Sequence, residues 1–299
     1  MAESKKVTMG IAWSNTSESY TYQGVLMAAQ QTDADIRCLE MVKADGLPYD
    51  EDNRLMDCTD EFGMLNQEVA DAVKENGWRS SDVEKIMEGV DCVIVPGGWD
   101  LSQTLCNRNT RWDSLEKDRN FCGERDISDY LLISYCIEKD IPLLCICRGM
   151  QVLGVVCGGN LIQDIGLFFE RQDLPYTCYH RDPEGKHFMS HDVKVTSTDS
   201  LIYRIMGEER IQAVPSWHHQ TVREFEQTDL LVTGICDGDA VDVVEVIERP
   251  QNRFCLGLQY HPEVAVRKVM EGDSEYALYM TEEEALKPFH ALVQAAKHE

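Results

Sequence analysis

The chain has 299 residues, and its 53 Asp and Glu against 28 Lys and Arg give a formal net charge of −25. Its 43% of hydrophobic residues can form a large core, which excludes an intrinsically disordered chain. The negative field argues against nucleic acid or an anionic membrane as a partner. We interpret most of the charge as a contribution to solubility.

The 12 cysteines are scattered, with no paired Cys-x-x-Cys spacing of the kind found in zinc ribbons. The first six residues are polar, with no apolar stretch long enough for a secretory signal. No segment approaches the roughly 20 apolar residues of a membrane span. The sequence therefore predicts a cytoplasmic protein, with neither a metal site nor a cofactor fingerprint.

Short apolar strands alternate with helices through the first half of the chain. The strands are predicted at 7–13, 36–41, 92–96 and 142–147, and the helices at 22–32, 126–139 and 148–157. Strands that are apolar throughout, with helices between them, are typical of a parallel sheet covered on both faces. This half predicts an α/β fold with a mostly parallel central sheet of the flavodoxin-like kind.

Closely spaced strands dominate the second half, before a terminal helix at 280–297. They are predicted at 191–196, 230–235, 241–248 and 255–260, which indicates antiparallel hairpins added to the sheet. No linker or repeat divides the chain, so we predict a single domain over residues 1–299. Irregular segments near 44–61 and 100–125 are predicted surface insertions, either functional lids or mobile decoration.

A candidate nucleophile stands where the strand at 142–147 gives way to a helix. A side chain on such a turn projects from the carboxyl end of the sheet, where open α/β folds place their ligands. The helix N-terminus favours thiolate over thiol, which makes Cys147 a candidate nucleophile. Taken alone, a cysteine at this place is more often a buried packing residue.

Two further strand ends carry groups that complete a catalytic arrangement. After the strand at 255–260, His261 can act as a base, and Glu263 can orient its imidazole. After the strand at 92–96, Gly97 and Gly98 allow backbone N–H groups to approach a ligand and stabilise an oxyanion. A nucleophile, an oriented base and an oxyanion loop at three strand ends indicate catalysis.

Four motifs, in this order, resemble the class I glutamine amidotransferase superfamily, and most closely the γ-glutamyl-γ-aminobutyrate hydrolase family of cysteine peptidases. They are Pro-Gly-Gly-x-Asp at 96–100, Ile-Cys-Arg-Gly-x-Gln at 146–151, Ser-x-His-His-Gln at 216–220 and Gln-Tyr-His-Pro-Glu at 259–263. Arg125, Asp126 and Asp129 also resemble a helix start of these hydrolases, with Asp in place of Glu. The sequence departs from the family at Cys145, where Gly is usual, and at Pro215, where Asn is common.

The resemblance implies a role for each matching residue. Cys147 would attack a γ-glutamyl amide to form a thioester, His261 would transfer protons, and Glu263 would orient His261. The backbone N–H groups of Gly98 and Arg148 would form the oxyanion hole. The residues implied to bind the glutamyl group are Gly97, Gln151, Ser216, His218 and His219, of which His219 is equally well explained as a packing histidine.

Three functions remain open at this point. The first is a stand-alone hydrolase that releases glutamate from a small γ-glutamyl amine, such as a γ-glutamyl-γ-aminobutyrate or a γ-glutamyl-polyamine. The second is a glutaminase subunit that delivers ammonia to a synthase partner, and the third is a non-catalytic binding protein. We hypothesise that the acidic segment 44–61 attracts a cationic leaving group, and a homodimer is a fair default.

Overall fold

The computed structural model describes residues 6–108, 110–225 and 227–297. Within these ranges the strands are β1 Val7–Ile11, β2 Ala34–Cys38, β3 Cys92–Val95, β4 Leu143–Ile146, β5 Asn160–Ile162, β6 Met189–Val195, β7 Arg210–Ser216, β8 Thr221–Arg223, β9 Leu231–Cys236, β10 Val243–Glu248 and β11 Cys255–Leu258. The helices are α1 Tyr20–Gln30, α2 Gln67–Asn76, α3 Val83–Ile86, α4 Gly123–Glu138, α5 Arg148–Val156, α6 Ile165–Arg171, α7 Leu201–Met206, α8 Pro262–Glu271 and α9 Glu282–Lys297.

One sheet runs through the described ranges in the order β2-β1-β3-β4-β11-β10-β9-β6-β7. The strands from β2 to β11 in this order pair in parallel, whereas β10, β9, β6 and β7 add antiparallel pairs. The sequence prediction of a mostly parallel α/β sheet extended by hairpins is therefore confirmed. A separate two-stranded pair, β5 with β8, lies outside this sheet.

Helices cover both faces of the parallel part, as its apolar strands require. Along β3, Val93 and Val95 pack into the core beneath α2, α4 and α5. Cys92 and Ile94, which point the other way, pack into the core beneath α1, α8 and α9. This alternation explains why the strand is apolar at every position, since both of its faces are buried.

Several element boundaries differ from the sequence predictions. The second strand lies at 34–38 rather than 36–41, because its register against β1 ends where Ile11 pairs with Cys38. Sequence reasoning missed β7, which contains Pro215; β7 tolerates this proline because it is an edge strand of the sheet. Reasoning from the sequence also missed α8, which begins with Pro262 at its first position.

The two predicted insertions are anchored to the rest of the molecule. Segment 44–61 buries Leu55 and Cys58 in the core beneath α4, and segment 100–125 buries Leu101 and Leu105 there. In the described part of the chain, no helix combines the length and the apolar character needed to cross a membrane. The division into a single domain stays a prediction.

Candidate active site

Three neighbouring strands bring the candidate catalytic groups to one edge of the sheet. In the sheet, β4 lies between β3 and β11, and all three run parallel. Their carboxyl ends therefore lead side by side into the loop at Gly97 and Gly98, the turn at Cys147 and the segment that carries His261. Chain positions more than 100 residues apart meet at one place for this reason.

Cys147 occupies a strained turn between β4 and α5. Its backbone adopts φ 52° and ψ −109°, a conformation that non-glycine residues rarely adopt, and its side chain is buried. At Gly149 a Cβ atom would lie 2.3 Å from the carbonyl oxygen of Val95, so only glycine fits this close approach of helix to strand. The turn forms with Cys145 two residues earlier, buried within β4, despite this departure from the family pattern.

The candidate base and its carboxylate partner lie at the start of α8. His261 is the N-cap residue of this helix, with two residues between it and the end of β11, and Glu263 lies in the first helical turn. The Nδ1 atom of His261 is 2.6 Å from Oε1 of Glu263, and both side chains are buried. Burial alone lowers the pKa of His261, but the Cys147 sulfur and the Glu263 carboxylate together hold it well above its usual range. This arrangement can accept a proton and hold it as an imidazolium.

The loop that follows β3 lies against both Cys147 and His261. A Cβ atom at Gly97 would lie 3.0 Å from Cε1 of His261 and 3.4 Å from Cβ of Cys147. Arg125 holds this loop from behind, with Nη2 donating to the carbonyl oxygens of Pro96 at 2.9 Å and Gly97 at 2.8 Å. The backbone N–H of Gly98 can thus serve a ligand at Cys147.

A buried ion-pair network connects this loop with the nucleophile turn. Arg125 pairs with Asp129, and Arg148, which follows Cys147, pairs with both Asp126 and Asp129. All four side chains are at most 2% exposed. Because α4 carries three of these groups, one helix fixes both segments that hold the candidate oxyanion donors.

Substituting Gly98 with alanine is expected to lower kcat by about 10²–10³-fold, the usual effect of losing one oxyanion donor. A Cβ atom there would lie 1.9 Å from Nη1 of Arg125, so the loop must move. Steady-state kinetics test this, with Gly46→Ala as the control, because Gly46 also has a positive φ, of 77°, but a Cβ atom there meets nothing within 4 Å. Unchanged kcat in Gly98→Ala would exclude a catalytic role for this N–H.

A small polar cavity of about 210 Å³ opens on one side of Cys147. Asp100, Asp118, Arg181 and His219 contribute charged groups to its lining. Arg181 donates to both carboxylate oxygens of Asp118 at 2.9 Å. A pocket with both carboxylates and a guanidinium suits a ligand that carries an ammonium and a carboxylate.

His219 lies between two carboxylates, with Nε2 3.0 Å from Asp100, which lines this cavity, and Nδ1 3.2 Å from Asp164, which does not. Burial lowers its pKa, but Asp100 and Asp164 outweigh burial and raise it to about 9. His219 is therefore charged at neutral pH and balances part of the negative charge around it.

A larger and more apolar cavity of about 510 Å³ lies on the His261 side of Cys147. Aromatic rings of Tyr20, Trp99, Phe188 and Trp217 contribute to its lining. The Phe188 ring lies edge-on to His261, with centroids 5.6 Å apart, and its centroid is 5.3 Å from that of Trp217. The two cavities share Gly98, Trp99, Cys147 and Trp217, so they meet at the candidate nucleophile.

The residues implied to bind the glutamyl group do not all lie in the polar cavity. Gln151, His218 and His219 line it, and Gly97 lies against Cys147. Ser216 does not line it, because its hydroxyl is turned away and donates to the carbonyl oxygen of His180 at 2.8 Å.

Sequence reasoning missed Asp118, Arg181 and Phe188 as cavity residues, whereas the resemblance implied that the segment 216–219, which includes Trp217, lines the pocket. Arg181 and Phe188 belong to the irregular segment between α6 and β6, and Asp118 to the predicted insertion at 100–125, where no periodic pattern or motif marks a residue. Trp217 stands inside the Ser-x-His-His-Gln motif, at its variable position, and that motif was the one signal available.

A cysteine on a strained strand-to-helix turn, with a histidine and a glutamate at the next strand end, defines the class of α/β cysteine hydrolases. The Peptidase C26 family model matches residues 73–263, and the chain belongs to this family. It is a class I glutamine amidotransferase-like hydrolase, as the resemblance predicted.

A sequence relative agrees with this membership, and two solved structures share the fold. The chain is 33% identical over 202 residues to the γ-glutamyl-γ-aminobutyrate hydrolase of Escherichia coli O157:H7, covering 66% of this chain and 70% of that protein. The glutaminase domain of a Trypanosoma brucei CTPS with bound acivicin matches 97% of this chain and 94% of its own, with a TM-score of 0.53 and 16% identity. A Thermotoga maritima glutamine amidotransferase covers 99% of this chain and 100% of its own, with a TM-score of 0.51 and 15% identity. The two structural matches show the fold.

Proposed function

We propose that the protein hydrolyses the γ-glutamyl amide bond of a small γ-glutamyl amine and releases glutamate. The observation that carries this proposal is the meeting of two cavities at Cys147, one polar and small, the other aromatic and larger. An amide with a glutamyl group on one side and an aliphatic amine on the other fits both cavities. The E. coli relative, named for γ-glutamyl-γ-aminobutyrate, supports this class of substrate.

The reaction that we propose has two halves. His261 takes the proton of Cys147, whose sulfur attacks the γ-carbonyl carbon. The backbone N–H groups of Gly98 and Arg148 stabilise the oxyanion of the tetrahedral intermediate. His261 then donates its proton to the leaving amine, and a γ-glutamyl thioester remains on the sulfur.

Water completes the cycle from the side that the amine has vacated. His261 removes a proton from the water, the oxygen attacks the thioester carbonyl, and the sulfur leaves and regains a proton. Glu263 holds the imidazole in one tautomer and offsets its positive charge in both halves. The products are free glutamate and the regenerated thiol.

The polar cavity supports recognition of the glutamyl end. Arg181 has N–H groups to offer an α-carboxylate, and Asp100 and Asp118 can accept from an α-ammonium group. Arg181→Met is expected to raise KM by about 10- to 100-fold with a smaller effect on kcat, since a charged hydrogen bond contributes about 1.5–3 kcal/mol. Exposed Arg204→Met is the matched control, and an unchanged KM in Arg181→Met would place the glutamyl group elsewhere.

The aromatic cavity favours a hydrolase over a glutaminase subunit, because ammonia needs no space of about 510 Å³. Two acidic groups at its rim, Asp273 and Glu275, already pair with Lys268 at 2.7 and 2.8 Å. The rim therefore carries little uncompensated charge of its own. Aromatic faces can bind the alkyl chain of an amine and also a distant ammonium group.

The acidic segment 44–61 concerns the identity of the amine that leaves in the first half of the reaction. Its residues Asp52, Asn53 and Arg54 line a neighbouring cavity that shares Trp99 with the two at Cys147. Attraction of a cationic amine by this segment stays a prediction. If it is right, kcat/KM for a γ-glutamyl-polyamine falls with added salt, whereas that for γ-glutamyl-γ-aminobutyrate does not.

A panel of γ-glutamyl amides, read by glutamate release, tests the proposed function. We expect kcat/KM for γ-glutamyl-γ-aminobutyrate or a γ-glutamyl-polyamine to exceed that for glutamine. Acivicin, which is bound in the T. brucei structure, serves as a probe for covalent labelling of Cys147 by mass spectrometry. Glutamine as the best substrate, hydrolysed only after a partner protein is added, would instead support the glutaminase subunit.

A further inference from the structure

We propose that a buried zinc ion binds to His180, His191, His218 and Glu245. These residues form a second cluster, separate from Cys147, in which all four side chains are at most 3% exposed. Their donor atoms all lie within 4.8 Å of one another. We call this set the His₃Glu cluster.

The spacing of the donor atoms fits a tetrahedral ion. Oε1 of Glu245 lies 3.1 Å from Nδ1 of His180, 3.6 Å from Nε2 of His191 and 3.3 Å from Nε2 of His218. Nδ1 of His180 lies 3.1 Å from Nε2 of His191. Ligands about 2.0–2.1 Å from a tetrahedral zinc stand about 3.3 Å apart, which is the middle of this range.

The lack of hydrogen bonds to the Glu245 carboxylate, within the described residues, also fits a cation shared by the four side chains. Within the described residues, neither carboxylate oxygen of Glu245 has a hydrogen-bond partner, although three histidine nitrogens lie within 3.6 Å of Oε1. A fully buried carboxylate without a hydrogen bond is costly, and a metal ion at the common centre removes that cost.

Two of the histidines have the outer hydrogen bonds that metal ligands usually make. His218 has Nδ1 2.9 Å from the carbonyl oxygen of Gln220, and His191 has Nδ1 3.3 Å from that of Asp192. A carbonyl oxygen only accepts, so each Nδ1 carries the proton and each Nε2, the ring nitrogen close to Glu245, is left with a lone pair that can bind a metal. A lone pair that faces a carboxylate oxygen at 3.3 Å, as in His218, repels it unless a cation lies between them.

The chemistry of the donors selects zinc among common ions. Imidazole nitrogens with one carboxylate oxygen suit zinc, whereas Ca²⁺ and Mg²⁺ prefer sites made of oxygens. Four protein ligands fill the tetrahedron and leave no position for water, so the ion would be structural. Sequence analysis predicted no metal because the four ligands come from separate segments without a short spacing.

The site joins four parts of the molecule near the active site. His180 lies in the segment between α6 and β6, His191 on β6, His218 after β7, and Glu245 on β10. His218 also lines the polar cavity beside Cys147. An ion here would fix the wall of that cavity without touching the reacting atoms.

Metal analysis of the purified full chain, incubated with zinc and then desalted, tests the proposal. We expect about one zinc ion per chain, and a melting temperature that falls when a chelator removes it. His191→Gln is expected to weaken zinc binding by about 100-fold or more, with Glu245→Gln as a second variant of nearly the same shape. His290→Gln, an exposed histidine on α9, is the matched control and should retain the metal.

Cobalt substitution separates this site from a neighbouring thiol set. Cys178, His180 and Cys236 also place their donor atoms within 4.8 Å of one another. The His₃Glu cluster predicts tetrahedral cobalt absorption without a sulfur charge-transfer band, unchanged in Cys236→Ser. Loss of the metal in Cys236→Ser overturns the proposal in favour of thiol ligands. Absence of stoichiometric metal in the wild type overturns it in favour of a proton shared between His180 and His191.

Discussion

Replacing Cys147 with alanine is expected to reduce glutamate release by about 10⁴-fold or more, because the proposed thioester forms on the Cys147 sulfur. The change removes one sulfur atom from a buried turn that is fixed on both sides, by β4 and by α5. Binding of substrate should therefore persist while turnover is lost. Glutamate release under saturating substrate, with calorimetric binding of the same γ-glutamyl amide, measures both effects.

Cys145→Ala is the matched control for that experiment. Cys145 is buried in β4 two residues before the nucleophile, and burial raises its pKa well above the usual range, which makes it an inert thiol. We expect this variant to retain turnover and labelling by acivicin. Turnover that persists in Cys147→Ala would exclude the thioester mechanism and leave Cys147 with a role in binding at most.

The Glu263→Gln variant is expected to lose about 10²–10⁴-fold in kcat and to shift its pH profile toward acid. Against the effect of burial, Cys147 and Glu263 raise the pKa of His261. Removing the Glu263 charge therefore lowers that pKa. The imidazolium donates the proton to the leaving amine, so the rate falls on the alkaline side, where the imidazolium is lost. In Glu263→Gln this fall is expected at a lower pH than in the wild type.

A pH–rate profile from pH 5 to pH 10 distinguishes this effect from general damage to the fold. A merely structural role for Glu263 would lower kcat at every pH by the same factor. Glu271→Gln, at the other end of α8, is the control because Glu271 pairs with Arg267 on the surface. An unshifted alkaline limb in Glu263→Gln would show that Glu263 does not tune His261.

The sheet and the three candidate catalytic residues could be predicted because their signals are local in the sequence. Each apolar strand carries its own composition, and Cys147, His261 and the Gly97-Gly98 pair follow strands directly. Parallel strands then place their carboxyl ends together without further information. Glu263 could be assigned from its place two residues after His261, where its carboxylate can orient the imidazole, and the family resemblance implies the same role.

The cavities could not be predicted in the same way, because their walls come from distant and irregular segments. Arg181 reaches the polar cavity and Phe188 the aromatic one from the segment before β6, and neither has a periodic neighbour. Ser216 illustrates the reverse case: it stands within a matching motif, yet its hydroxyl binds the backbone at His180. Side-chain direction depends on tertiary packing that a motif does not encode.

The ion pairs of α4 couple the positions of the two N–H donors in the candidate oxyanion hole. Asp129 pairs with Arg125 behind the Gly98 loop and also with Arg148 behind the nucleophile turn. The Gly98 loop and the Cys147 turn are therefore both held through Asp129. A shift of Asp129 displaces the N–H donors of both segments together. We therefore expect the effects of Arg125→Met and Arg148→Met on kcat to be less than additive. Once either substitution has misaligned one of the two N–H donors, the second substitution lowers kcat by a smaller factor than it does alone.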